Sequence, residues 1–184
     1  MQVIVFPLAT PKFTYCSVFG DPRGTGTHMG DDICAPMGTP VLAVNNGVVS
    51  FGTDPKGGTV ALLRADSGGT FYYAHLSATA GDSGRQVEPG DVIGYVGMSG
   101  NAATTLPHLH FEMWPTGAYT SAIDPMPYIA TAQRFATPPP GSLPPIGRST
   151  WRALFVGAAI VGASVVGATL INRRPRYRSW PRFV

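Results

Sequence analysis

The 184-residue sequence predicts a mainly β domain of antiparallel strands around a central groove, followed by a proline-rich linker and one C-terminal transmembrane helix. Short runs rich in Val, Tyr and Phe recur about every ten residues between residues 12 and 130, and Gly or Pro turns separate them. Residues 153–171 contain no charged side chain, which is typical of a membrane span. The predicted boundaries are 1–135 for the domain, 136–150 for the linker, 151–172 for the helix and 173–184 for a basic tail.

The N-terminal half of the domain predicts three strands and one hairpin. "MQVIVFPLAT" is apolar but too short for a signal peptide, so we interpret it as the first strand. "KFTYCSVFG" and "DDICAP" are expected to be strands around a long Gly-rich loop, "DPRGTGTHMG". "VLAVNNGVVSFG" contains Asn-Gly between two Val-rich runs, which predicts a hairpin.

The C-terminal half of the domain continues this pattern. "DPKGG" and "DSGG" separate three strand-like runs, "GVVSFGT", "TVALLRA" and "TFYYAHLS". "VEPGDVIGYVGMSG" predicts another strand between turns, and "PHLHFEMW" predicts the last one. The spacing therefore indicates a compact antiparallel fold.

The segment after the domain predicts a membrane anchor. Residues 136–150 contain five prolines, which favour an extended linker. A helix over residues 153–171 would be roughly 28 Å long, about one hydrocarbon core. Small residues four apart would allow packing with other membrane helices, and Arg, Tyr and Trp flank the run as interfacial anchors. The alternative is a buried helix in a soluble core.

The net charge of +3 is unevenly distributed. Residues 1–135 carry six Lys/Arg and all ten Asp/Glu, a net charge of −4, whereas residues 136–184 carry seven Arg and no acid. The basic residues flank an apolar segment and do not form a folded surface, so no nucleic-acid partner is expected.

Two cysteines, Cys16 and Cys34, leave two interpretations open. They could form one disulfide if the domain matures in an oxidising compartment, or they could be two small buried side chains. They do not form a C-x-x-C pair, so a zinc finger is not expected.

The four histidines predict a metal site. His108 and His110 lie one residue apart in a strand and therefore point to the same face. "THMGDD" adds His28 and, four residues later, Asp32. Two imidazoles and one carboxylate suit Zn²⁺, with a fourth position left for water.

These motifs resemble the lysostaphin/LytM-type zinc metallopeptidases, which are peptidoglycan endopeptidases. The resemblance covers residues 19–129 and includes "HMGDDICAPMGTPVLA", "GVVSFG", "YYAHLS", "VEPGDVIGYVGMSGNA" and "PHLHFEMW". It implies that His28, Asp32 and His110 are the zinc ligands and that His75 and His108 are a catalytic pair beside the metal. His108 would then be a general base, and His75 would stabilise the oxyanion or protonate the leaving amine.

Three further polar residues lie near these motifs. Glu112 points the same way as both strand histidines and could orient His110, although a buried structural acceptor is the simpler interpretation. Asp31 is expected to point away from Asp32 into solvent. Asn101 in "SGNA" is a candidate substrate contact.

The resulting hypothesis is a membrane-anchored zinc endopeptidase that hydrolyses peptide bonds in cell-wall stems or cross-bridges. The alternative is a non-catalytic binding protein or structural virion membrane protein of the same fold. Five Arg after the span would keep the tail cytoplasmic and the domain outside, yet no signal for export is visible. A single-pass anchor in a phage virion membrane, or in a bacterial envelope, is the expected location. The bond cleaved, the membrane orientation, the origin and the oligomeric state stay open.

Overall fold

The computed structural model describes residues 4–24 and 26–142, and its framework is two stacked β-sheets. The strands, in chain order, are β1 (Val5–Ala9), β2 (Thr14–Ser17), β3 (Pro22–Arg23), β4 (Gly26–Thr27), β5 (Asp31–Cys34), β6 (Pro40–Leu42), β7 (Gly47–Asp54), β8 (Gly58–Ala65), β9 (Thr70–Leu76), β10 (Ala78–Thr79), β11 (Arg85–Val87), β12 (Val92–Tyr95), β13 (His108–Trp114) and β14 (Gln133–Phe135). The helical elements are two 3₁₀ turns and α1, over Gly100–Ala102, Tyr119–Ser121 and Met126–Ile129.

The large sheet has seven strands in the order β11-β7-β8-β9-β13-β5-β2, and every neighbouring pair is antiparallel. β7, β8 and β9 are joined by the predicted turns at "DPKGG" and "DSGG". β13 lies between β9 and β5, and β2 is the edge strand. The predicted mainly β, antiparallel domain is therefore confirmed.

The small sheet has five strands in the order β10-β12-β6-β1-β14. The segment predicted as the first strand is β1, and all five of its residues are buried. β1 pairs with β14 in parallel, whereas the other pairs of this sheet are antiparallel. The main hydrophobic core lies between the sheets and contains Phe6, Ile33, Leu63, Tyr73 and Phe111.

The predicted hairpin at "VLAVNNGVVSFG" is wrong. β6 belongs to the small sheet and β7 to the large sheet, so the chain crosses between sheets at the Asn-Gly pair. Gly47 is required for a different reason, because a Cβ there would collide with the backbone carbonyl of Arg64 on β8. The runs on both sides are Val-rich because each faces the shared core.

The loop "DPRGTGTHMG" is more ordered than predicted, because β3 and β4 pair within it as a short hairpin. At the other end, residues 136–142 continue along the small sheet, and the Val92 N–H donates to the Ser142 carbonyl. The rest of the predicted linker, the predicted membrane helix and the basic tail lie outside the described residues. Within residues 4–24 and 26–142, no helix is long and apolar enough to cross a membrane.

Candidate active site

Side chains of β13 alternate between the hydrophobic core and a groove on the other face of the sheet. Leu109 and Phe111 are fully buried in the core, whereas His108, His110 and Glu112 line a groove on the opposite face of the sheet. The prediction that the two strand histidines share a face is confirmed. Strand alternation is the cause, since every second side chain points to the same side.

β5 brings the carboxylate to the same groove. In the antiparallel register, Asp32 lies directly opposite His110. Asp31 points the other way, as predicted, but the expectation that it is solvated is wrong, because it is fully buried. Its Oδ1 accepts a hydrogen bond from the Phe19 N–H at 2.9 Å, and burial raises the pKa of its carboxyl.

Three side chains from two parts of the chain converge in the groove, since His28 and Asp32 are four residues apart and His110 lies on β13. Asp32 Oδ1 lies 2.8 Å from His110 Nδ1 and 3.1 Å from His28 Nε2. The two ring nitrogens are 2.9 Å apart. One donor atom from each residue therefore lies within 4.8 Å of the other two, close enough to share one ion.

Each of the two imidazole rings uses one nitrogen for a contact outside the cluster, which leaves its other nitrogen facing Asp32. His28 Nδ1 donates to the Val18 carbonyl at 3.0 Å, so its Nε2 carries the lone pair when the ring is neutral. His110 Nε2 lies 2.7 Å from Glu112 Oε1, which leaves Nδ1 facing Asp32. Two imidazole nitrogens and one carboxylate oxygen fit Zn²⁺, and each ring has the second partner that metal-bound histidines usually have.

The electrostatics of the cluster favour a cation. Burial alone would raise the pKa of Asp32, but hydrogen bonds from His110 and His28 outweigh it and lower that pKa far below its usual range. Burial would lower the pKa of His110, but Asp32 and Glu112 raise it to about 9. The site therefore stabilises positive charge on the side of the ring nitrogens that a metal would occupy.

His75 and His108 lie beside the cluster, with ring centroids 4.8 Å apart. His108 Nδ1 contacts the Leu106 carbonyl at 2.7 Å, and His108 Nε2 lies 3.8 Å from Asp32 Oδ1. His75 Nδ1 contacts the Ser99 carbonyl at 2.9 Å, and burial lowers its pKa to about 4. Because a carbonyl only accepts, both rings carry a proton on Nδ1 and present an unprotonated Nε2 when neutral.

The backbone of His75 is unusual, with a φ of 62°. It is the one non-glycine residue with positive φ within residues 4–24 and 26–142. Left-handed backbone is uncommon for residues other than glycine and costs about 1–3 kcal/mol, so it persists only where surrounding contacts impose it. Here the His75 N–H donates to the Gly57 carbonyl at 2.7 Å.

The groove extends beyond the histidines. Tyr72 and Trp114 stack with ring centroids 5.3 Å apart and form one wall. Asn101 lines the groove, so its expected contact with substrate stays a prediction. Lys56 and the exposed Tyr119 lie along the rim.

Sequence reasoning missed part of the support around the cluster. Arg23 Nη2 lies 2.6 Å from Asp32 Oδ2, and the Trp114 indole donates to Glu112 Oε2. Cys16 and Cys34 form a disulfide that joins β2 to β5, with Cα atoms 5.8 Å apart, which decides between the two interpretations of this pair. Trp114 comes two residues after Glu112, so strand alternation could have predicted that both side chains lie on the same face. No local pattern predicts that Arg23 lies beside Asp32.

A mainly β domain with a groove over two histidines and one aspartate defines a candidate metal-dependent hydrolase. The model of Peptidase family M23 matches residues 26–125, and the chain belongs to that family. The resemblance to lysostaphin/LytM-type metallopeptidases is therefore confirmed, and the fold is LytM-like.

Two relatives and one solved structure show the extent of the similarity. The L-Ala–D-Glu endopeptidase of Bacillus subtilis is 37% identical over 143 residues, covering 71% of this chain and 44% of that protein. Lysostaphin of Staphylococcus simulans is 36% identical over 111 residues, covering 58% of this chain and 22% of that one. Its catalytic domain superposes with a TM-score of 0.59 at 32% identity, covering 65% of this chain and 93% of that domain. The chain thus matches less than half the length of either curated relative.

Proposed function

We propose that this protein is a zinc-dependent endopeptidase that hydrolyses peptide bonds in bacterial peptidoglycan. The observation that carries the proposal is the convergence of His28, Asp32 and His110 in an open groove, with two further histidines beside them. The names of its relatives support the substrate class, since they include a glycyl-glycine endopeptidase and an L-Ala–D-Glu endopeptidase. The residues that form the groove walls would determine which bond of the stem or cross-bridge is cleaved.

His28 Nε2, Asp32 Oδ1 and His110 Nδ1 would bind the zinc ion. Bound zinc polarises the scissile carbonyl and makes a water molecule acidic enough to act as nucleophile near neutral pH. A solved relative in Vibrio cholerae, 26% identical, is described as a zinc-containing peptidase, which supports this cofactor. The peptide would lie along the groove against Tyr72 and Trp114.

His108 would act as the general base. Its Nδ1–H donates to the Leu106 carbonyl, so its Nε2 is the atom available to accept a proton. His75 has the same arrangement through Ser99, so in its neutral form it accepts and does not donate. His75 would therefore have to gain a proton during the reaction before it could protonate the leaving amine or donate to the oxyanion.

The decisive experiment combines metal removal with matched substitutions. Full-length protein in detergent is incubated with purified cell walls, and released fragments are identified by mass spectrometry. We expect chelation to abolish release, zinc to restore it, and Asp32→Asn to be inactive. Asp82→Asn, the same change at an exposed turn, is the control and should retain activity. Release that persists after exhaustive chelation would overturn the proposal, and equal activity of Asp32→Asn would favour a non-catalytic role for the site.

We also propose that the chain is anchored by a single C-terminal helix over residues 153–171, in a phage virion membrane or a bacterial envelope. The uncharged run and its basic flanks support the anchor. The Cys16–Cys34 disulfide supports maturation of the domain in an oxidising compartment. Membrane flotation of the chain with and without residues 151–184 tests the anchor, and its detection in purified particles tests the virion assignment.

A further inference from the structure

Asp32 uses its two carboxylate oxygens differently. Oδ1 faces the two imidazoles, at 2.8 Å from His110 Nδ1 and 3.1 Å from His28 Nε2. Oδ2 points away from them and accepts a hydrogen bond from Arg23 Nη2 at 2.6 Å. The side chain of Asp32 is 11% exposed, so solvent has little access to these oxygens.

We propose that Arg23 is a positioning residue that keeps Asp32 a single-oxygen metal ligand, an inference that rests on the proposed zinc site. A carboxylate binds metals through one oxygen or through both. With Oδ2 bound to the guanidinium, only Oδ1 is available to the ion. The position that Oδ2 would otherwise occupy is left for water or substrate.

Arg23 is fixed in place, although its side chain is 48% exposed. The same Nη2 atom donates to Ser17 Oγ at 2.8 Å, so both of its N–H groups have acceptors. Ser17 Oγ in turn donates to Asp21 Oδ2 at 2.6 Å. The backbone of Arg23 pairs with Gly26 in the β3–β4 hairpin, directly before His28.

Two effects of Arg23 on zinc affinity oppose each other. Its positive charge repels a cation, but the half-exposed guanidinium is surrounded by solvent and salt, which screen that repulsion. The hydrogen bond acts directly on a buried ligand, and loss of such supporting contacts usually weakens metal binding about 10–100-fold. The orienting effect is therefore the larger one, and removal of Arg23 should weaken zinc binding.

The test measures zinc affinity of the full-length protein by competition with a chromophoric chelator. Arg23→Met keeps a long side chain without donors, and Arg23→Lys keeps one charged donor. Arg64→Met, on the exposed face of β8 and outside the groove, is the matched control for loss of one arginine. We expect Arg23→Met to lose about tenfold or more in affinity, Arg23→Lys to be intermediate, and Arg64→Met to equal the wild type.

A second readout separates ligand geometry from general destabilisation. Cobalt(II) in a four-coordinate site absorbs visible light more strongly than in a five-coordinate site, and coordination geometry is diagnostic for such ions. The cobalt-loaded Arg23→Met protein should therefore show weaker visible bands as Asp32 binds through both oxygens. If Arg23→Met does not fold, Arg23→Lys carries the same measurements.

The outcomes are distinct. Unchanged affinity and an unchanged cobalt spectrum in the Arg23 variants would overturn the positioning role, as would tighter zinc binding by Arg23→Met. A wild-type protein that binds no zinc would instead refute the proposed function.

Discussion

The two sides of the candidate metal site are built differently. On the strand side, His110, Glu112 and Trp114 follow each other at every second position of β13, and each contacts the next. On the edge side, His28 and Asp32 depend on Ser17, Val18 and Arg23, which come from the edge strand and the hairpin after it. One side is supported within a single central strand, whereas the other is assembled from segments that meet only in the folded chain.

The two sides should therefore differ in how well they tolerate the loss of a supporting contact. β13 has hydrogen-bonded neighbours on both sides, so its side-chain directions are set by the sheet. β2 has one neighbour, and its register with β5 shifts between Tyr15 and Ser17, where Cys16 lies. The disulfide joins this irregular edge strand to β5, which carries Asp32. We therefore expect the edge side to depend on the disulfide and the strand side not to.

The largest effect should come from removal of the ligand that joins both sides. His110→Ala deletes the contacts to Asp32 and Glu112 together. We expect zinc binding and wall hydrolysis to fall by more than the roughly 100-fold typical of a lost supporting contact. Zinc content after gel filtration and fragment release measure both, and a variant that retains one zinc per chain would contradict the assignment.

Glu112→Gln tests the strand side alone. The carboxylate accepts from His110 Nε2 and from the Trp114 indole, whereas an amide cannot accept from both through equivalent oxygens. We expect zinc affinity to fall about 10–100-fold with little loss of stability. Glu88→Gln, in an exposed turn, is the control. Equal affinities of the two variants would show that Glu112 is only a structural acceptor.

Loss of the disulfide tests the edge side. The bridge closes a loop with a sequence separation of 18, and its removal should lower the free energy of unfolding by about 3 kcal/mol. Urea titration of the metal-free Cys16→Ser/Cys34→Ser protein measures this loss. Reductant should destabilise the wild type to the same level and leave the double variant unchanged. Zinc affinity should fall as well, in contrast to a purely global effect on stability.

The smallest effect near neutral pH should be a change in pH dependence, because it develops only as pH falls below about 6.5. His75 has its pKa lowered to about 4 in the folded protein, against about 6.5 when unfolded. Between these values the unfolded chain binds more protons, so this group makes the folded state less stable as pH falls from 6.5 towards 4. His75→Asn tolerates the positive φ and should make that decline shallower. Urea titrations of metal-free wild type and variant across this range measure the difference, and parallel curves would contradict it.

The fold was predictable wherever neighbours in sequence are neighbours in space. The β7–β8 and β8–β9 hairpins follow from local turns, and β13 follows from alternation. The Asn-Gly pair before β7 led to a wrong prediction of a hairpin. The chain crosses between the two sheets there, and Gly47 is needed because its backbone lies close to the neighbouring strand. The prediction that Asp31 is solvated failed because both faces of the large sheet are covered at that position.

The residues of the candidate site were predictable from the sequence, but the hydrogen bonds that hold them in place were not. His28, Asp32, His110, His75 and His108 all line one groove, as the resemblance implied. Their proposed roles in metal binding and catalysis stay predictions for the experiments above. The sequence predicted no role for Arg23 beyond its contribution to the net charge, because nothing in its local sequence indicates a contact with Asp32.

Three features were predictable from the amino-acid sequence: the family, the antiparallel strand pattern and the shared face of His108 and His110. They were predictable because strand periodicity and an ordered set of motifs can be read directly along the chain. Only the folded structure shows which oxygen of Asp32 faces the histidines, which ring nitrogens are available and how the edge strand is attached. These properties depend on hydrogen bonds between different segments of the chain, such as those of Arg23 with Asp32 and of His75 with Ser99. The physical reason is that such contacts depend on how the strands and loops pack together, which no local pattern in the sequence specifies.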